Sequence, residues 1–157
     1  MLFDEISSLF IFSHSDLLEK TSDAVIKTAK TGNFIMLRDL HLQGYSLLSI
    51  DATGQTALHY ACKLGHKDIV KFLISYAPNP IINMIDNITG QTALHKAVQQ
   101  RHKSICYMLV AAGASLTIRD TKGRTAMMLA FEVDDNDLAS YLESQEKMLR
   151  AEFVENI

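Results

Sequence analysis

Apolar residues recur at helical spacing along most of the chain. Ile69, Val70, Leu73 and Ile74 fall at i, i+1, i+4 and i+5, which places them on one face of an α-helix. Ile105, Leu109 and Val110 form a similar stripe with Cys106 beside them, and so do Leu138, Tyr141 and Leu142, whose spacing continues through Leu149 and Phe153. At the start, Leu2, Phe3, Ile6, Leu9 and Phe10 predict a short amphipathic helix from Asp4 onward, and Ser15 ahead of Leu17 and Leu18 marks a second helical start. Only two prolines interrupt this pattern, so it predicts a mostly helical chain with tight turns.

The turns repeat. Gly54 to His59 and Gly90 to His95 both read Gly-Gln-Thr-Ala-Leu-His, and a weaker copy runs Gly123-Arg124-Thr125-Ala126-Met127-Met128. Their threonines, Thr56, Thr92 and Thr125, are separated by 36 and then 33 residues. An earlier copy without the hexapeptide shows by alignment. Thr31-Gly32-Asn33 matches Leu64-Gly65-His66, and Gly44 to Asp51 matches Gly113 to Asp120. This period, with Thr-x-Leu-His-x-Ala, resembles the ankyrin repeat, a β-turn followed by two antiparallel helices. One such unit cannot bury its own apolar face, so copies must stack. The expected fold is an all-α ankyrin solenoid of about four helix-turn-helix repeats with short β-turn fingers. The repeats are placed at residues 21–50, 51–86, 87–119 and 120–144. Residues 1–20 are expected to cap the first repeat, and 145–157 to finish the last helix and form a tail.

Particular positions carry particular expectations. In the first repeat, helix A is placed near Ser22 to Lys30 and helix B near Phe34 to Gln43, with Gly44 as a left-handed stop. The second opens at Asp51, with Thr56 as N-cap, Leu58, Ala61 and Cys62 facing the stack, and Gly65 in the inter-helix turn. Ala77-Pro78-Asn79-Pro80 ends its helix B, and the three extra residues of this copy are assigned to the loop there. The third repeat is expected to open at Asn87. Its Arg101 takes the place of the inter-helix glycine, a strained choice if φ is positive. In the fourth, which opens at Asp120, Met127 and Met128 replace Leu and His, and the acidic run Asp134 to Asp137 caps a terminal helix. The charged face of that helix (Glu143, Glu146, Lys147, Arg150, Glu152) suits a C-terminal cap.

Length and composition fit one globular domain, and a formal charge of −3 gives no basic face for nucleic acid. No apolar run is long enough to span a bilayer, and Met1 to Phe12 carries Asp4 and Glu5 without the positive start of a signal peptide. Cys62 and Cys106 fit small core residues in a reducing, cytoplasmic compartment. His59, His66, His95 and His102 recur in register but lack the i, i+4 spacing of helical metal ligands. Structural hydrogen bonds between copies are expected instead, with no metal and no cofactor. Nucleophile-elbow, phosphate-loop and calcium-loop patterns are absent, so no catalytic residue is assigned.

What remains is a binding surface. The positions left free by the repeat pattern lie at the fingers and late in helix A: Ala52, Thr53, Gln55, Lys63, Ile88, Thr89, Gln91, Gln99 and Gln100. Arg119, Lys122 and Arg124 add a basic last finger. A protein partner is expected along this concave face, with an anionic membrane contact through the basic finger as the alternative.

A narrower resemblance covers about residues 50 to 146. His66 to Pro78, Gly90 to His95, Ile105-Cys106, Gly113 to Leu116 and Asp137 to Glu143 are similar to the C-terminal ankyrin region of the type IV diacylglycerol kinases, the zeta and iota class. The Ala77-Pro78 break is the most particular feature. That family phosphorylates diacylglycerol with ATP in a catalytic domain ahead of its repeats, and no glycine-rich nucleotide motif of that kind occurs here. The resemblance therefore implies a localisation and regulatory module of a lipid kinase, recruited to membrane through the parent enzyme, with a membrane-contact or autoinhibitory element, its basic finger meeting the kinase domain, as the alternative. A free-standing ankyrin adaptor is the other reading. Family members commonly end in Glu-Thr-Ala-Val, a ligand for PDZ domains. Here the end is Glu155-Asn156-Ile157, departing two residues before the terminus. Ile157 would fill the apolar PDZ pocket, Glu155 would meet the groove, and about four terminal residues would be free of the helix.

Overall fold

The computed structural model describes residues 23–156. The expected N-terminal cap at 1–20, the start of the first helix at Ser22 and the terminal Ile157 lie outside them. Helices come in pairs. The first pair is α1 (helical over 23–31) and α2 (Phe34–Leu42), the second α3 (Ala57–Leu64) and α4 (Lys67–Tyr76). The third is α5 (Ala93–Gln99) and α6 (Lys103–Ala111), the fourth α7 (Ala126–Glu132) and α8 (Asn136–Glu155). Odd-numbered helices pack side by side, α3 on α5 and α5 on α7, and α2, α4 and α6 line up behind them. The result is the stacked, predominantly helical solenoid that the periodicity implies. Among the described residues the sole β pairing is an isolated bridge, Ile50 to Thr56, at the base of a finger.

Local chemistry starts each helix A. Thr56, Thr92 and Thr125 are N-caps in extended conformation, and each side chain accepts a hydrogen bond from the amide three residues on. Leu58, Leu94, Leu129, Ile69, Ile105, Leu138, Leu73, Leu109 and Leu142 are then all buried in one continuous core. Cys62 and Cys106 sit in that core as small apolar residues, and burial pushes both thiols up, Cys106 to about 12.

The inter-helix turns show why glycine is needed at two copies and dispensable at two. All four turn residues have positive φ: Gly32, Gly65, Arg101 and Asp134. A Cβ on Gly32 would stand 2.8 Å from the His66 ring, and one on Gly65 2.9 Å from the His102 ring. A side chain at either place would therefore have to displace the next copy's histidine. Opposite Arg101 the corresponding residue is Asp135, and among the described residues no copy stacks against Asp134, so side chains fit there and only the backbone strain of a non-glycine residue remains.

Two expectations are corrected. The carboxylate that opens the third finger is Asp86, not Asn87. The Asp86 amide donates to the Gln91 carbonyl, as Asp51 does to Gln55 and Asp120 to Arg124. This finger is one residue longer than its neighbours, and the extra space places Ile88 at its tip. The insertion is thus shared between the finger and the segment after Ala77, instead of lying wholly in the latter. That segment is also more than a loop. Asn79–Asn83 forms a 3-10 helix that starts on proline, where no amide donor is needed, and buries Ile81 and Ile82.

Candidate binding groove

Each finger is organised by its opening aspartate. One Asp51 oxygen accepts from the amides of Thr53 and Gln55, and Asp86 and Asp120 accept equivalent pairs from Ile88 and Thr89 and from Lys122 and Arg124. Fingers are linked edge to edge, with Asn87 N–H on the Thr53 carbonyl (2.8 Å) and Thr121 N–H on the Thr89 carbonyl (2.9 Å).

The second oxygen of each aspartate finds a different partner in each copy. Tyr60 donates to Asp51, Lys96 pairs with Asp86 at 3.2 Å, and Arg124 with Asp120 at 2.9 Å. In the fourth copy the position of Tyr60 and Lys96 is taken by the apolar Leu129, so a finger arginine supplies the charge instead. Burial would raise the carboxyls of Asp86 and Asp120, but their hydrogen bonds and cations prevail and hold both low, Asp120 at about 2. Burial and the donated bond to Asp51 push Tyr60 up to about 12.

A second ladder runs inside the stack. His59 Nε2–H donates to the Gln91 carbonyl at 3.0 Å, and His95 Nε2–H to the Arg124 carbonyl at 3.0 Å. Each Nδ1 accepts from a threonine amide, Thr56 at 3.1 Å and Thr92 at 3.2 Å. With one nitrogen donating and the other accepting, both rings are neutral. Desolvation lowers the pKa of both. The structural role expected of these histidines is met. His102 adds a third inter-copy bond, to the Lys63 carbonyl at 3.1 Å. No group of metal-ligating residues assembles among the described residues.

With the fingers and helix A forming two walls of a channel, the candidate residues divide. Ala52, Lys63, Ile88, Gln99, Gln100, Arg119 and Lys122 are exposed, whereas Thr53, Gln55, Thr89 and Arg124 are half-buried. Gln91 is 2% exposed, its side chain spent on Asp120, so it belongs to the internal lattice and not to an accessible surface. The basic finger is weaker than its composition implies. Arg124 is held by Asp120 and Glu132, and Arg119 donates to the Gly123 carbonyl beside Met128. Only Lys122 extends without a described acceptor.

The C-terminal expectation also changes. Helix α8 runs to Glu155, and the Asn156 amide closes it on the Glu152 and Val154 carbonyls. Glu155 is therefore helical, and an extended PDZ ligand there would first have to unwind the last turn. Sequence reasoning missed Tyr60 and Lys96 as finger anchors. Counting four residues on from each capping threonine finds both. It also missed an apolar groove of about 570 Å³ between α8 and residues 113–117, lined by Val110, Leu116, Leu149 and Phe153.

Comparison with known proteins agrees with this geometry. The family model "Ankyrin repeats (3 copies)" matches residues 8–83, 24–120 and 82–148. The chain belongs to the ankyrin-repeat family. It is 58% identical over 132 residues to the eye-specific diacylglycerol kinase of Drosophila melanogaster, covering 84% of this chain and 9% of that protein. To diacylglycerol kinase iota of Mus musculus it is 41% identical over 146 residues, covering 90% of this chain and 14% of the kinase. To human diacylglycerol kinase zeta it is 41% identical over 131 residues, covering 83% and 14%. The chain thus spans only about a tenth to a seventh of these relatives' length.

Proposed function

We propose that this chain is the ankyrin region of a diacylglycerol kinase and that it binds a protein partner along the channel between fingers and helices, localising and regulating the parent enzyme. One observation carries the reading. The polar groups at the base of the channel are consumed internally, whereas the side chains of Ala52, Lys63, Ile88, Gln99 and Gln100 along its rim are exposed and make no described hydrogen bond or ion pair. Ile88 is 68% exposed at the tip of the lengthened finger, an apolar side chain placed outward by an insertion the fold itself does not need. The kinase assignment rests on the three relatives, whose identity with this chain falls across its repeats.

A photo-crosslinking residue placed at Ile88 or Gln99 of the chain in cells tests the reading, with Lys71 on the opposite, helix-B side as control. Protein adducts are expected from Ile88 and Gln99 and not from Lys71. Equal yields from all three positions, or none from any, would defeat it.

A further inference from the structure

Helix A of the first repeat brings charge to the channel that the hexapeptide pattern does not reveal. Lys27 and Lys30 stand 33 residues before Tyr60 and Lys63, at the same helical positions, and therefore on the same wall. Lys30 Nζ lies 4.8 Å from the centre of the Tyr60 ring, which holds its ammonium against the channel by a cation–π contact. Lys27, Lys30, Lys63 and Lys122 are all exposed, and no described carboxylate pairs with any of them. Most carboxylates of the same surface are already bound, Asp51 by the Tyr60 hydroxyl, Asp86 by Lys96, Asp120 and Glu132 by Arg124, which leaves the exposed Asp23, one turn before Lys27, against four lysines. The channel is consequently cationic in a chain of net charge −3, all of which is accounted for by Asp4, Glu5, Asp16 and Glu19 against Lys20 in residues 1–20.

We infer that the channel receives an acidic, extended polypeptide segment, its carboxylates meeting Lys27, Lys30 and Lys63 and an apolar side chain meeting Ile88. This inference rests on the protein-binding reading above and narrows it to a partner chemistry. Shape favours a peptide over an anionic membrane. A flat bilayer resting on the finger residues Ala52, Ile88 and Lys122 would meet a single lysine there, whereas Lys27, Lys30 and Lys63 stand on the helix wall. Complementary charge of this kind acts mainly on association rate and specificity and is screened within about 10 Å at 0.1 M salt.

The test uses the whole chain and a short fluorescein-labelled peptide rich in Glu with one central Leu, beside its Gln-substituted twin and phosphatidylserine vesicles. Anisotropy should show the acidic peptide bound, the twin not, and affinity falling with salt. K27E/K30E/K63E should weaken binding at least about tenfold and flatten the salt dependence, as expected for lost rim charges. K67E/K71E, a change of the same sign on exposed positions of α4, should leave binding unaltered. Equal loss in both variants, or no loss in the first, overturns the inference, as does binding of vesicles that depends on the three lysines more than peptide binding does. Binding abolished by Ile88→Asp but untouched by K27E/K30E/K63E keeps the protein-binding surface and removes the acidic partner. Circular dichroism of each variant checks that the fold is retained, which exposed positions permit.

Discussion

His59 and His95 are the residues through which one copy registers the next, and they make stability depend on pH in a definite direction. Each is neutral, accepting at Nδ1 and donating at Nε2, so protonation would set two N–H groups against each other at the threonine cap. The folded pKa lies below the ordinary 6.5, which means the unfolded chain binds protons first as pH falls. Their contribution is whole above about pH 6.5 and is lost as pH drops below that towards the folded values. The urea midpoint should be flat above neutrality and decline as pH falls below about 6.5, with His59→Gln reducing that slope. A slope unchanged in the variant would refute the assignment. The depressed Asp86 and Asp120 act lower, their stabilisation present above the usual carboxylate range and lost in strong acid. Strain gives a second residue-level test. Arg101 has φ 57°, and a non-glycine residue there costs roughly 1–2 kcal/mol, so Arg101→Gly should raise the midpoint. Gly65→Ala should lower it, since its Cβ would meet His102 at 2.9 Å as well as carry the strain. Opposite signs at equivalent positions are the result to look for.

At the level of elements, the terminal helix separates capping from whatever else its length serves. Leu138, Ala139 and Leu142 are its buried residues, and beyond them Met148, Leu149, Phe153 and Val154 are at least half exposed. Capping is therefore done by the first two turns. Leu142→Ala should cost about 2–5 kcal/mol, while truncation after Glu146 should change the unfolding free energy by less than about 1 kcal/mol. A large loss on truncation would show that the groove beside residues 113–117 is filled in solution. These boundaries also show what the sequence made legible. Helices α3 to α6 were readable because capping threonines start α3 and α5, apolar stripes run through α4 and α6, and Gly65, Pro78 and Gly113 mark stops. The third finger was misread by one residue, because counting back from Thr92 lands on Asn87 and nothing in the residue types distinguishes an insertion before Gly90 from one near Pro80. Gln91 looked free because its side chain is polar and outside the fixed motif. Its burial depends on Asp120, 29 residues away, and on which way one amide turns. The kinase-like tail was read as partly free because the apolar stripe ends at Phe153, whereas a helix continues for as long as its backbone can be satisfied.

For the whole molecule, stability is a sum of weak units and strong contacts between neighbours, so position along the stack decides what a lesion does. The second and third copies are joined by α3 on α5, by His59 to the Gln91 carbonyl and by Asn87 to Thr53. The third and fourth are joined by α5 on α7, by His95 to the Arg124 carbonyl and by Gln91 to Asp120. Among the described residues the fourth has no outward counterpart: Met128 occupies the place of His59 and His95 and is 36% exposed. Removing either histidine side chain forfeits a cap interaction and leaves a buried carbonyl unpaired, together about 2–4 kcal/mol. The loss falls on different parts of the stack, however. His95→Ala weakens only the attachment of the last copy, so α7 and α8 should exchange their amide hydrogens early while α3 to α6 stay protected. His59→Ala divides the array in its middle, so protection should fall on both sides and the urea transition should broaden, with a smaller m-value. Hydrogen exchange followed by mass spectrometry on the two variants separates these outcomes. Uniform loss of protection in both would mean that the array unfolds as one cooperative unit and that the histidine ladder does not set its seams.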